Sequence, residues 1–318
     1  MSKLLITGAT GFLGKALCET LKLKKYSINI STRSDNHESI LGLNKFIVGD
    51  INSKTNWSSA LRDIDCVVHC AARTHIMKKE KSDIIDLYRK INVEGTRNLA
   101  IQAANLGVRR LIFLSSVKVN GERTTKDKSF NIYDIPKPED PYGISKWETE
   151  QVLREISEKT GLEIVIIRAP LIYGKEVKGN FLRLINLIFR GIPLPFARIE
   201  NCRSLIGLDN LINLIECCID HPEAIGKTFL ASDNENVSTT LLITKLAKFL
   251  KKNPLLFHLP IPLMNLLGNL TGKSKEIKRL LFSLKINNSY TNEVLGWKPP
   301  YTLDDGLKKT VKWYLENR

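Results

Sequence analysis

The chain of 318 residues is 43% hydrophobic and 25% charged, a globular composition that excludes disorder and suffices for one large domain with an appended lobe or for two domains. Its apolar runs, such as Leu111–Leu114 and Ile164–Ile167, are strand-sized, which excludes a transmembrane segment of about 20 apolar residues. A net charge of +15 suits a polyanionic partner, but the lysines are scattered (Lys22, Lys24, Lys25, Lys78, Lys79, Lys81) without interleaved aromatics, which predicts no nucleic-acid partner.

From the N-terminus, Met1-Ser2-Lys3 leads straight into a strand predicted at Lys3–Thr7, with no apolar leader before it. Leu13, Leu17 and Leu21 then recur at helical spacing. Strands are expected at Ser27–Thr32, Lys45–Val48 and Cys66–His69, and a helix over Asn92–Leu106. A strand at Arg110–Ser115, a long helix over Tyr142–Thr160 and a strand at Glu163–Arg168 follow. This alternation implies a doubly wound, Rossmann-type α/β fold, a parallel sheet with helices on both faces. The pattern changes near Tyr173, which predicts one domain over residues 1–173, joined by later segments, and a smaller C-terminal lobe over 174–318. There a helix is expected over Gly179–Arg190, and Ile192-Pro193-Leu194-Pro195 must be extended because each proline restricts the residue before it. Pro254–Lys285 reads as loops and short helices. The six cysteines, Cys18, Cys66, Cys70, Cys202, Cys217 and Cys218, match neither a zinc site nor a disulfide framework. They read as reduced, mostly buried thiols in a cytoplasmic protein without a metal.

Strand, glycine-rich turn and helix start follow one another in Leu4-Leu5-Ile6-Thr7-Gly8-Ala9-Thr10-Gly11-Phe12-Leu13-Gly14. Gly8 permits a tight turn, Gly11 lets the backbone approach a pyrophosphate, and Gly14 lets the helix pack close to the strand. Thr10, Phe12 and Leu13 open the helix, whose free N–H groups and positive dipole end suit an anion. The turn therefore predicts a dinucleotide. At the end of the second strand, Ile30-Ser31-Thr32-Arg33-Ser34 has no acid to hold the ribose hydroxyls of NAD. Arg33 can instead pair with the 2′-phosphate of NADP, or be a solvated loop charge, so NADP is favoured over NAD.

In Asp140-Pro141-Tyr142-Gly143-Ile144-Ser145-Lys146, Asp140 is a good helix cap and Pro141 suits the first helical position. Tyr142 and Lys146 then share one helical face, where an ammonium favours the phenolate and brings the phenol toward general acid–base work. Ser116 follows the fifth strand, at the carboxyl end where the ligand crevice of such sheets lies, and can hydrogen-bond the same substrate oxygen. Glu148 and Glu150 are assigned to the solvated face of that helix. His69 is read as packed or hydrogen-bonded, and neither it nor His75 is needed as a catalyst.

With these residues in place the chain resembles the extended short-chain dehydrogenase/reductase family, of the NAD(P)-dependent epimerase/dehydratase type. It is similar in particular to bacterial UDP-glucose 4-epimerases and UDP-4-keto-sugar 4-reductases. The segments that carry the resemblance are Thr7–Gly14, Gly49-Asp50-Ile51, His69–Ala72, Asn92–Thr96, Ser115–Gly121, Tyr142–Lys146 and Leu295–Pro299. It implies that Ser116, Tyr142 and Lys146 are catalytic, that Asp50 and Ile51 lie beside the adenine, that Ala71 and Ala72 line the cofactor and that Asn92 orders the site. It also implies substrate contacts from Asn180, Arg203 and Arg279, a UDP-sugar substrate and a homodimer. Asn120 stands where the family commonly has a tyrosine, and the acidic NAD residue is absent.

The leading expectation is a 4-keto reductase acting on a UDP-linked hexose or acetamido-hexose, with a 4-epimerase as the alternative. A non-catalytic dinucleotide sensor would need no Ser116, Tyr142 and Lys146, and a dehydratase often has an acidic pair where this chain has Val117-Lys118. Pro254–Gly272 is apolar and is followed by Lys273, Lys275, Lys278 and Arg279, an order that resembles an interfacial anchor with a basic flank. A lid over the sugar site is favoured over such a weak membrane-surface association, because the prolines would break an amphipathic helix.

Overall fold

Strand β1 (Lys3–Thr7) feeds α1 (Phe12–Leu23), which returns the chain to β2 (Ser27–Thr32) and β3 (Asn44–Ile47). After α2 (Ser58–Leu61) come β4 (Cys66–His69), α3 (Lys81–Tyr88), a π-helical turn (Arg89–Glu94) and α4 (Gly95–Asn105). Then follow β5 (Arg110–Ser116), α5 (Pro141–Thr160), β6 (Glu163–Ala169), β7 (Leu171–Tyr173) and α6 (Gly179–Phe189). The chain continues through β8 (Arg203–Gly207), α7 (Leu208–Asp220), β9 (Thr228–Leu230), β10 (Asn236–Val237) and α8 (Thr239–Phe249). It ends in α9 (Ile261–Leu270), α10 (Ser274–Leu281), α11 (Ser289–Leu295) and α12 (Leu303–Glu316). This computed structural model describes residues 2–35, 42–74, 81–125, 127–272 and 274–318, without the side chains of 81–83 and 275; His75, Lys78, Lys79 and Lys273 lie outside the described residues.

A seven-stranded parallel sheet runs in the order β3-β2-β1-β4-β5-β6-β9. Its strands are apolar on both faces, as a sheet covered on both sides requires. Leu4, Ile6, Val68, Ile112, Val165 and Ile167 face a core shared with Leu17 and Leu21 of α1 and Leu211 and Ile215 of α7. The alternate residues Leu5, Val67, Leu111, Phe113, Ile164 and Ile166 face a second core with Leu99 of α4 and Leu153 of α5. The two lists interleave one residue at a time, the period of a strand. This is the predicted Rossmann-type fold.

Strand order reverses between β1 and β4: the chain leaves β1 toward β2 and β3, then crosses back to β4 and β5. Thr7 pairs with His69 across that point, so the ends of both strands open into one crevice. A third core joins Phe181, Ile185 and Ile188 of α6, Leu242 and Leu246 of α8 and Leu307 and Val311 of α12. Beside it lies a three-stranded sheet, β10-β8-β7. The expected extended stretch is present, with Leu194 exchanging backbone hydrogen bonds with Leu255 and Phe257. The helix expected over Asn92–Leu106 opens earlier, as the π-helical turn.

Candidate active site

The turn after β1 is shaped for a close backbone approach. Gly8 has φ +68°, and a Cβ there would lie 2.7 Å from the Ala71 nitrogen. A Cβ at Gly14 would lie 2.2 Å from the Gly8 carbonyl oxygen, so α1 can enter the turn only with glycine at that position. Gly11 caps α1 in an extended conformation, and its N–H donates to Gly8 O at 2.9 Å. Ala71 and Ala72 lie half-buried just past β4. At the end of β2, the buried Thr32 hydroxyl has no hydrogen-bond partner among the described residues. A side-chain-free cradle at a helix N-terminus, with an unanswered hydroxyl at the end of the neighbouring strand, fits a dinucleotide pyrophosphate and ribose.

Helix α5 starts as its sequence demands. Asp140 accepts from Gly143 N–H at 2.7 Å, and Pro141 occupies the first turn. Gly143 is required by packing, since a Cβ there would lie 2.9 Å from the carbonyl oxygen of Lys118 on the serine loop. Lys118 forms an ion pair with Asp140, which ties that loop to the helix start. Ser116 ends β5, and its Oγ accepts from Lys118 N–H at 3.3 Å. The buried Lys146 donates from Nζ to Leu114 O at 2.8 Å, with Nζ 4.4 Å from the Phe113 ring centroid and 5.8 Å from that of Tyr142. The end of β5 and the first two turns of α5 thus hold Ser116, Tyr142 and Lys146 around one place.

The electrostatics differ from the sequence expectation. Burial pushes the Lys146 ammonium down to about 7. Burial, then the Asp140 carboxylate and Tyr88, push the Tyr142 phenol up. The spacing of four was expected to favour the phenolate, yet Lys146 is drawn toward Leu114 O, and removal of water favours the neutral phenol. Within the chain alone Tyr142 is a phenol and therefore a proton donor.

Glu150 overturns a second expectation. It is fully buried: Arg168 donates to both of its oxygens, at 3.0 and 2.6 Å, and Ser115 Oγ donates at 2.6 Å. Arg168 also donates to Asn120 Oδ1 at 3.1 Å, which gives the residue in the family's tyrosine position a partner. A sequence signal for Glu150 existed, because Tyr142, Lys146 and Glu150 are four apart and share the face that meets the sheet. Glu148 is on the outer side, paired with Arg89 at 2.6 Å. Asn92, in the π turn, receives Arg73 N–H at 2.8 Å and donates to Ser145 Oγ at 3.0 Å and Arg73 O at 3.2 Å. It clamps the loop after β4 to α5. His69 is buried between Thr7 Oγ1 (2.7 Å) and Thr96 Oγ1 (2.9 Å), and burial pushes it down to about 3, so it is a neutral packed residue. The thiols of Cys18, Cys66 and Cys70 are pushed up to about 12, chiefly by burial, which leaves them unreactive.

Outside this centre, Arg203 of β8 donates from Nη1 to the carbonyls of Arg279 (2.6 Å) and Phe282 (3.0 Å). Burial, then the charge of Arg279, push its guanidinium down to about 10. Two residues 76 apart in sequence thus lie together, and among the described residues neither guanidinium has a carboxylate within 4.0 Å. Asn180 is exposed in the first turn of α6 and has no hydrogen bond to either arginine among the described residues. Arg33 pairs with Asp50 at 2.7 Å, and both are largely exposed. Ile51 sits against Gly95, where a Cβ would come within 2.6 Å of its Cγ2.

Residues 4–231 match the model of the NAD dependent epimerase/dehydratase family. The chain belongs to that family. It is an enzyme of the short-chain dehydrogenase/reductase type. Over 317 residues, 98% of this chain and 95% of the relative, it is 44% identical to the UDP-glucose 4-epimerase of Vibrio cholerae. It is 28% identical, over 97% of this chain and 94% of the relative, to the N-acetyl-alpha-D-glucosaminyl-diphospho-ditrans,octacis-undecaprenol 4-epimerase of Escherichia coli O157:H7. In fold it is similar to the UDP-glucuronic acid 4-epimerase of Bacillus cereus in complex with NAD, with TM-score 0.80, 23% identity, and 99% of this chain and 97% of that one covered. The epimerase/dehydratase match takes in the glycine turn, Tyr142, Lys146 and Arg203 and stops before Arg279, α9 and α10.

Proposed function

We propose that the protein is an NAD-dependent 4-epimerase of a UDP-linked hexose or acetamido-hexose. The observation that carries this reading is the 44% identity, across nearly the whole chain, to a UDP-glucose 4-epimerase, on a scaffold that keeps Ser116, Tyr142 and Lys146. It replaces the 4-keto reductase as the leading reading. NAD also replaces NADP, supported by the NAD dependent family model and by the Bacillus cereus epimerase that holds NAD, while Arg33 is already paired with Asp50.

The dinucleotide, held at Gly8, Gly11 and Gly14 with Thr10, Phe12 and Leu13 and lined by Ile51, Ala71 and Ala72, supplies a hydride acceptor and donor at sugar carbon 4. With NAD bound, the Tyr142 phenolate is favoured by the positive charge of the oxidised nicotinamide, and Tyr142 would then take the proton of the 4-hydroxyl and return it to the same oxygen when the sugar is reduced from its other face. Ser116 holds that oxygen by hydrogen bonding. Lys146, whose ammonium burial pushes down to about 7, would hold the cofactor ribose and tune Tyr142. Arg203 and Arg279 offer an unneutralised pair of cations to the diphosphate, and Asn180 meets the sugar side.

The test is incubation of the purified protein with UDP-glucose and with UDP-N-acetylglucosamine, without added dinucleotide. The expected result is the 4-epimer of one of them, with NAD released when the protein is denatured. Stoichiometric consumption of NADPH by a UDP-4-keto sugar, with no epimer formed, would restore the reductase reading.

A further inference from the structure

Helix α9 presents its apolar side to solvent. Leu263, Leu266, Leu267 and Leu270 follow the i, i+3, i+4, i+7 spacing of a single helical face, and all are exposed, at 42%, 53%, 43% and 76%. The opposite side, Met264 and Gly268, is buried. Gly268 lets α10 pack close, since a Cβ there would lie 3.0 Å from Ile277 Cδ1. The prolines do not break the helix, because Pro260 precedes it and Pro262 falls in the first turn, where no N–H is required. Leu255 and Phe257, in the segment leading to α9, are also exposed. Met264 packs into the core shared with α6, α8 and α12, so the segment covers that lobe with one side and leaves the leucines outside.

The charges around the helix indicate what covers it. Between Lys248 and Lys285 the chain carries eight Lys or Arg and one acid, Glu276, so about an eighth of the sequence holds nearly half of the net charge of +15. None of these charges lies within α9 itself. Lys251 and Lys252 precede it, Lys278 and Arg279 follow it, and these four are exposed. An apolar stripe in the interface plane, flanked by cations at the level of the head groups, is the pattern of a helix that lies on an anionic bilayer.

We infer that α9 and its basic flanks dock the enzyme on the surface of an anionic lipid bilayer. Leu255, Phe257 and the leucine face enter the acyl boundary, and the flanking cations meet lipid phosphates. The inference needs only this surface, and it stands or falls independently of the sugar chemistry.

The test is flotation of the full chain with vesicles of phosphatidylcholine alone or with about 30% phosphatidylglycerol, at ~0.1 and ~0.5 M salt. Wild type and Leu266→Gln/Leu270→Gln are compared, with thermal midpoint and turnover of a soluble UDP-sugar as controls. Both substituted side chains are exposed, so the variant should fold and turn over as wild type does. The expected result is flotation of wild type on anionic vesicles, weakened by salt and by omitting phosphatidylglycerol, and reduced at least about tenfold in the variant. Absence of flotation, equal flotation of both proteins, or equal flotation on both lipids would overturn the proposal. So would a wild-type dimer that the double substitution converts to monomer without any vesicle binding, since the leucines would then cover a second copy of the chain.

Discussion

Helix α5 turns Lys146 and Glu150 inward and answers them: Lys146 has Leu114 O, Glu150 has Arg168 and Ser115, and the capping Asp140 has Lys118 and a cap bond. Helix α9, in the other lobe, turns leucines outward and has no charges at all. Arg203 lies between these extremes, held by the backbone carbonyls of Arg279 and Phe282 but with no carboxylate partner among the described residues. A region whose groups are internally satisfied keeps one geometry for chemistry, whereas a region with unanswered surface is complete only with something bound to it.

The sharpest break of that comparison lies inside the satisfied region. Tyr142→Phe keeps the ring and its edge contact with Tyr88 and loses only the proton-carrying oxygen. Turnover should fall roughly 100- to 10,000-fold while dinucleotide affinity stays near wild type. Near wild-type turnover would remove Tyr142 from acid–base duty.

Glu150→Ala should be the next largest, read as stability. It strands Arg168 in the core, which costs about 3–5 kcal/mol when one partner of a buried pair is removed. Urea denaturation measures this, and a loss below about 1 kcal/mol would mean that water or a rearranged Asn120 satisfies the arginine.

Arg203→Ala sharpens the contrast from the other side. Removing one charge-assisted contact should weaken UDP binding roughly ten- to hundredfold, about 1.5–3 kcal/mol, and leave NAD binding unchanged. Titration with UDP checks it, and equal affinities in both proteins would show that the diphosphate is held elsewhere.

The smallest effect is a slope with pH. Lys146 has a folded value of about 7, below the ~10.4 of an unfolded lysine. Between these values the unfolded chain binds a proton that the folded chain does not, so this group's contribution to stability rises with pH. From pH 8 to 9, wild type without added ligand should gain on Lys146→Met by about 1 kcal/mol, approaching the full slope of one proton. A pH-independent difference would show that the buried ammonium keeps its proton.

Local rules explain what was legible. The glycine turn, the Asp140 cap, the two-residue alternation of the strands and the placement of Tyr142 and Lys146 on one face all depend on neighbours a few residues away. They were readable from sequence within a residue or two, as with the strand expected at Lys45–Val48 and found at Asn44–Ile47. Glu150 was misassigned because a glutamate on a helix is usually solvated, and Arg168, its answering cation, belongs to β6. The α9 prolines were misread because proline disrupts a helix interior but not its first turn.

By itself the sequence determined the main strands and helices up to Arg168, where the glycine-rich turn lies and which tyrosine and lysine share a face. Those features rest on backbone conformation and side-chain periodicity, which act over a single turn or hairpin. The tertiary structure decided which ionisable groups are stripped of water, and therefore that Lys146 is lowered and Tyr142 raised. It also decided that Arg203 meets Arg279 across 76 residues and that the leucines of α9 face outward. Burial and partnership depend on which surfaces meet, and surfaces meet only once the whole chain has packed.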